Sequence, residues 1–181
     1  NSNANLNLTE MQYSIPARIS VIDRDNDGFA DHMYVADNGA QLFRLDIHNG
    51  ESLSDLVTGG LMANFGGDTA TENRRFYYGP DVTEISLGAE HYYAVALGSG
   101  YRAHPLDSVV EDHFYMIKDT GVFTLDTDGN YSLPSVALTT SSLYDATDHL
   151  LTSSDTTVQQ VEANSFAQLS GWFIRLGAGG E

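Results

Sequence analysis

The chain has 181 residues, 41 % hydrophobic and 18 % charged, enough apolar material for one buried core, so one domain or a large piece of one is expected. Eight basic residues against 25 acidic ones give a net charge of -17, which excludes nucleic acid as a partner and favours cations, although some of the acidity serves solubility alone. Zero cysteines exclude disulfides, thiolate zinc sites and cysteine nucleophiles, and no apolar run reaches the roughly 20 residues of a transmembrane helix. Asn1 to Glu10 has neither a basic start nor an apolar block, so the chain reads as an excerpt of a longer protein or one whose leader was removed.

In chain order, the strand candidates are Arg18 to Asp23, His32 to Ala36, Gln41 to Ile47, Glu84 to Leu87, His91 to Leu97, His113 to Lys118 and Trp172 to Leu176. Phe43, Leu45 and Ile47 alternate with Leu42, Arg44 and Asp46, the mark of a strand with unlike faces, whereas Tyr92 to Leu97 is apolar on both sides. Two stretches break the pattern. Gly59 to Arg75 is Gly- and Asn-rich and predicts loop, and Val158, Val161, Phe166 and Leu169 recur at helical spacing, predicting a short helix near Thr157 to Leu169. With ten tyrosines, eight phenylalanines and 17 glycines, the fold class is all-β, mainly strand with a short helix. Short strands joined by tight polar turns form meanders, and stacked four-stranded meanders make propeller blades; a β-sandwich is the alternative. A blade takes about 40 to 50 residues, so a chain of this length supplies about four.

One motif carries chemistry. Asp23-Arg24-Asp25-Asn26-Asp27-Gly28-Phe29-Ala30-Asp31 places carboxylates at loop positions 1, 3, 5 and 9 with glycine at 6, the first three-quarters of an EF-hand loop. A chain curling round calcium turns alternate side chains inward, glycine permits the bend, and position 7 offers its carbonyl. Asp23, Asp25, Asp27, the Phe29 carbonyl and Asp31 are the expected ligands. Position 12, where an EF-hand has a bidentate Glu, is Tyr34, and the flanks read as strands, so water or a second Asp oxygen completes the shell. The plainer reading is a polar hairpin loop of Asx-turns. Four carboxylates in nine residues repel one another with only Arg24 nearby, which favours the ion, and Ca2+ over magnesium.

The run Val21 to Ile47 resembles the calcium-loop blade of type IV pilus biogenesis and tip proteins of the PilY/PilC class. Further landmarks follow in order: Arg75-Phe76-Tyr77-Tyr78-Gly79-Pro80-Asp81-Val82, then Gly98 to Asp107 with Asp112 to Asp119, then Gly171 to Leu176 and the Gly180-Glu181 turn. The resemblance implies that residues 1–181 are part of a single modified propeller domain of about seven blades, with the calcium-loop blade at about 17–50. It implies a non-catalytic, extracellular protein at the cell surface or pilus tip, associated in some cases with the outer membrane, that supports pilus extension against retraction and surface attachment. Minor pilins at the tip, the rest of the parent propeller and a host or surface receptor are the implied partners. Two other classes compete: a secreted calcium-stabilised adhesive or carbohydrate-binding domain, and a quinoprotein-like propeller enzyme.

Other constellations read as structural. Gly98-Ser99-Gly100-Tyr101-Arg102-Ala103 formally fits a dinucleotide fingerprint, but Pro105 follows where a helix must open, so a turn with Arg102 and Asp107 pairing locally is expected. His91, His104, His113 and His149, with Glu111 and Asp112, match no zinc-ligand spacing. Asp126-Thr127-Asp128-Gly129-Asn130 begins like a second calcium loop but meets Pro134 at position 9, and reads as a tight turn. The tyrosines between Tyr77 and Tyr115 read as packing residues, with a sugar- or protein-binding surface as the alternative.

Overall fold

The computed structural model describes residues 5–177, in which two sheets share one interior. The first is an antiparallel meander of β1 (Ser20–Ile22), β2 (His32–Ala36), β3 (Gln41–Ile47) and β4 (Val57–Asn64). A tight turn joins β2 to β3: the Asp37 carboxylate accepts from the N–H groups of Gly39 and Gln41, and Ala40 takes a φ of 55°. β4 departs from expectation, since Gly59 to Asn64 is strand and not loop. Gly59 lies opposite Leu45 at φ 151°, where any Cβ would run into the Arg44 carbonyl. Glycine there permits close backbone approach, and pairing with β3 outweighs the poor strand propensity of the segment.

The second sheet contains β5 (Asp81–Leu87), β6 (Glu90–Gly98), β7 (His113–Asp119), β8 (Tyr144–Asp145) and β9 (Gly171–Arg175), in the order β5-β6-β7-β9-β8. β8 is the one parallel partner, and its two residues carry too little pattern to be seen in the sequence. Between β8 and β9 the chain forms α1 (Thr156–Gln168), as the spacing predicts. Its N-cap is Asp155, whose side chain accepts from the Thr157 and Val158 N–H groups. The helix lies on the surface: Phe166 meets the Tyr144 ring edge-on at 5.6 Å, Tyr144 donates to Glu162 at 2.8 Å, and Val161 faces solvent.

Tyr34, Leu42 and Met62 from the first sheet meet Tyr93, Val95, Tyr115, Ile117 and Phe173 from the second, and Phe65 stacks on Tyr115 at 4.1 Å. The face of β3 that carries Arg44 and Asp46 also carries the core residue Leu42, so the polar side of this strand is turned inward. Mainly β structure with one helix agrees with the expected class. The described residues form two sheets where length predicts about four blades, because segments 65–80, 99–112 and 120–143 hold only 3-10 turns and isolated pairings.

Candidate metal centre

The Asp-rich motif is the connection from β1 to β2. Its base is closed by the main chain: the Asp31 N–H donates to the Ile22 carbonyl and the Ile47 N–H to the Asp31 carbonyl, both at 2.8 Å. Within the loop Asn26 and Gly28 take φ values of 61° and 94°, so the bend expected at position 6 is present and glycine supplies it. The carboxylates of Asp23, Asp25 and Asp27 converge, with an oxygen of each within 4.8 Å of the others. Backbone amides hold them in place. Asp23 accepts from the N–H groups of Asp27 and Gly28 at 3.2 and 2.9 Å, Asp25 from Asp27 at 3.2 Å, and Asp27 from Phe29 at 2.8 Å.

Asp31 is not in this group. Its Oδ2 accepts from the Arg24 N–H at 2.7 Å, which pins the start of the loop to its end. Phe29 leaves its ring largely in solvent. Ligands on opposite sides of a calcium ion lie up to about 5 Å apart, so the spacing of the three carboxylates and their all-oxygen chemistry fit that ion. Such a cation would occupy the point where the three negative charges meet.

The loop is anchored to the opposite sheet. The Arg24 guanidinium donates to the Val122 carbonyl at 2.7 Å and lies over the Tyr131 ring at 5.3 Å. Val122 follows Asp119, which belongs to a buried network that sequence reasoning missed. Arg44, fully buried, donates through Nη1 to both Asp119 oxygens at 2.8 and 2.9 Å, through Nη2 to Asp46 at 3.1 Å and to the Ser132 carbonyl at 2.8 Å. Tyr34 donates to Asp119 and His32 Nδ1 to Asp46, at 2.8 and 2.7 Å. Burial works against the Arg44 charge, but Asp119 and Asp46 more than offset it and raise its pKa; burial, with Asp119 adding, pushes the Tyr34 hydroxyl up. The only signal in the sequence was the polar alternation of β3.

With this geometry in view, the fold compares with a solved protein. Over 90 % of its length the chain superposes on 38 % of the Pseudomonas aeruginosa PilY1 C-terminal domain, with a TM-score of 0.54 and 16 % identity. The chain shares the fold of part of that domain. By sequence, neither a family pattern nor a curated relative matches it. The PilY1 likeness agrees with the resemblance drawn from the collinear landmarks, and the chain spans well under half of the PilY1 domain. Among these landmarks, Arg75 to Val82 leads into β5, Gly98 to Asp107 connects β6 towards β7, and Gly171 to Leu176 contains β9. The Gly180-Glu181 turn lies outside the described residues.

The remaining candidates fall in separate places. Gly98 to Ala103 opens no helix; the chain turns instead, with the His104 N–H donating to the Tyr101 carbonyl at 2.8 Å. The expected Arg102–Asp107 pair does not form: Arg102 lies over the Tyr78 ring at 5.8 Å, and Asp107 caps the Val109 N–H at 3.0 Å. His91 pairs with Glu84 at 2.7 Å on the surface, while buried His113 touches Tyr115 and Arg74. His149 is at the N-cap of a 3-10 turn. Burial, with the Arg74 guanidinium adding, holds the His113 imidazole below its ordinary pKa. Asp126 to Asn130 is the expected tight turn, closed by the Gly129 N–H to the Asp126 carbonyl at 3.2 Å. No helix among the described residues is long and apolar enough to cross a membrane.

Proposed function

We propose that the chain is a non-catalytic, calcium-binding segment of a β-propeller in an extracellular type IV pilus assembly and tip protein. The observation that carries this is the coincidence of the PilY1 fold with a β1–β2 loop whose three carboxylates converge. In this reading the four-stranded meander is the calcium-loop blade, the second sheet is its neighbour, and the parent propeller supplies the remaining blades. Asp23, Asp25, Asp27, the Phe29 carbonyl and Asp31 hold the ion, with Asp31 reaching it directly or through water. Calcium shields the mutual repulsion of the carboxylates and tightens a loop that its own amides already shape.

The role is support of pilus extension against retraction together with surface attachment, in contact with minor pilins and a surface receptor. The test compares cells carrying the parent protein with and without Asp23→Ala. Loss of surface pili and twitching, with calcium binding abolished in the purified variant, is the expected result. Unchanged piliation with failed adhesion would favour a calcium-stabilised adhesive domain instead.

A further inference from the structure

At the end of the second sheet where β6 ends, β7 begins and β9 ends lies an open cleft of about 350 Å³, within the size range of small-ligand sites. Three stretches distant in sequence build it, Tyr77–Tyr78, the connection from Ser99 to Asp112, and Leu176, and main-chain bonds hold them together. The Gly100 N–H donates to the Arg75 carbonyl at 3.0 Å, the Ser99 N–H to the His113 carbonyl at 2.8 Å, and the Leu176 N–H to the Asp112 carbonyl at 2.8 Å. Ser99 Oγ donates to Asp112 Oδ1 at 2.7 Å. The walls are therefore preformed and do not wait for a ligand to assemble them.

Tyr77, Tyr78 and Tyr101 line this cleft, and Tyr78 is 66 % exposed, far more than a packing residue needs. Two guanidiniums lie over the rings, Arg75 above Tyr101 at 4.0 Å and Arg102 above Tyr78 at 5.8 Å, and neither forms an ion pair among the described residues. Asp107 and Asp112 lie on the same walls. In a chain of net charge -17, the lining thus carries both signs, Arg102 beside Asp107 and Asp112, with Arg75 reaching the Tyr101 ring from outside the lining. An anion would meet the aspartates and a cation Arg102. A neutral polyol meets neither penalty, because each hydroxyl both donates and accepts and can satisfy an arginine and an aspartate in turn. The apolar face of a pyranose ring covers a tyrosine face at little entropic cost.

We infer that the Tyr77–Tyr78–Tyr101 cleft is a binding site for a neutral saccharide, a function separate from the metal loop and independent of the pilus reading. Gly100 makes the inference testable without unfolding the protein: it lines the cleft, and a Cβ built there meets nothing within 4 Å. Gly100→Leu therefore starts its side chain in the open space of the cleft, and an unchanged spectrum outside the cleft checks that the walls have not moved. The experiment titrates isotope-labelled protein with cellohexaose, chitohexaose and xylohexaose while following backbone amide shifts. Trigalacturonate and a proline-rich peptide are the competing arms. The expected result is a saturable shift at Tyr78, Gly100, Tyr101 and His104 with at least one neutral sugar, weakened tenfold or more by Tyr78→Ala and by Gly100→Leu while the remaining spectrum is unchanged. No shift at these residues with any neutral sugar at millimolar concentration overturns the inference. So does tighter binding of the uronate or the peptide, or undiminished sugar binding by both variants.

Discussion

The Asp-rich β1–β2 loop and the buried Arg44 network both gather carboxylates, yet they are built in opposite ways. Asp23, Asp25 and Asp27 are sequence neighbours, exposed, and held by amides of their own loop. Arg44 and Asp119 come from different sheets, are buried, and are neutralised by each other. An exposed acidic loop can wait for an ion because water screens its charges meanwhile; a buried carboxylate needs its cation supplied by the fold. Arg24 joins the two, since its main chain closes the loop and its guanidinium reaches the Val122 carbonyl beside Asp119.

The largest expected effect comes from breaking the buried pair. Asp119→Ala leaves the Arg44 charge facing Asp46 alone and orphans the Tyr34 hydroxyl, which should cost about 3–5 kcal/mol in chemical denaturation. A loss near zero would mean that water enters the junction freely. The calcium increment comes next: at about 100 times the dissociation constant the ion should add about 2.7 kcal/mol, raising the Tm relative to chelator. Asp25→Ala should abolish that increment while leaving the chelated protein's stability nearly unchanged. If the Arg24 link passes no disturbance from the buried network to the loop, Asp119→Ala lowers stability with and without calcium by the same amount.

Arg24→Gln sharpens the comparison at the one residue that spans it. Losing the charged bond to Val122 should cost about 1.5 kcal/mol, and the calcium increment should shrink in the same variant, measured by paired melts. An intact increment would show that the loop binds its ion without help from the second sheet. The smallest effect is on pH dependence. His113 is held neutral by burial and Arg74, so the unfolded chain takes up its proton first as pH falls below about 6.5. Its contribution is complete above that pH and is lost as pH falls through the folded value. Because Arg74, Glu111, Tyr115 and Phe173 all face the ring, His113→Gln should weaken the fold at neutral pH but flatten this part of the acid slope in denaturant titrations.

Local chemistry was legible in the amino-acid text wherever neighbours act on neighbours. The β1–β2 loop, its glycine bend, the tight turn at Asp126 to Asn130 and the helix capped by Asp155 are each specified within a dozen residues, so spacing alone predicts them. β4 was not legible, because Gly59 is strand only by virtue of the Arg44 backbone lying against it. Nor was the role of Arg44: alternation along β3 marks two unlike faces, but an arginine on one of them reads as the solvent side until Asp119 is brought opposite. The same holds for the cleft, whose tyrosines come from segments that strand pairing and the Gly100–Arg75 main-chain bond draw together. Short-range order follows from propensity and turn chemistry, whereas the placing of charge between two sheets depends on partners that only chain-wide pairing can supply.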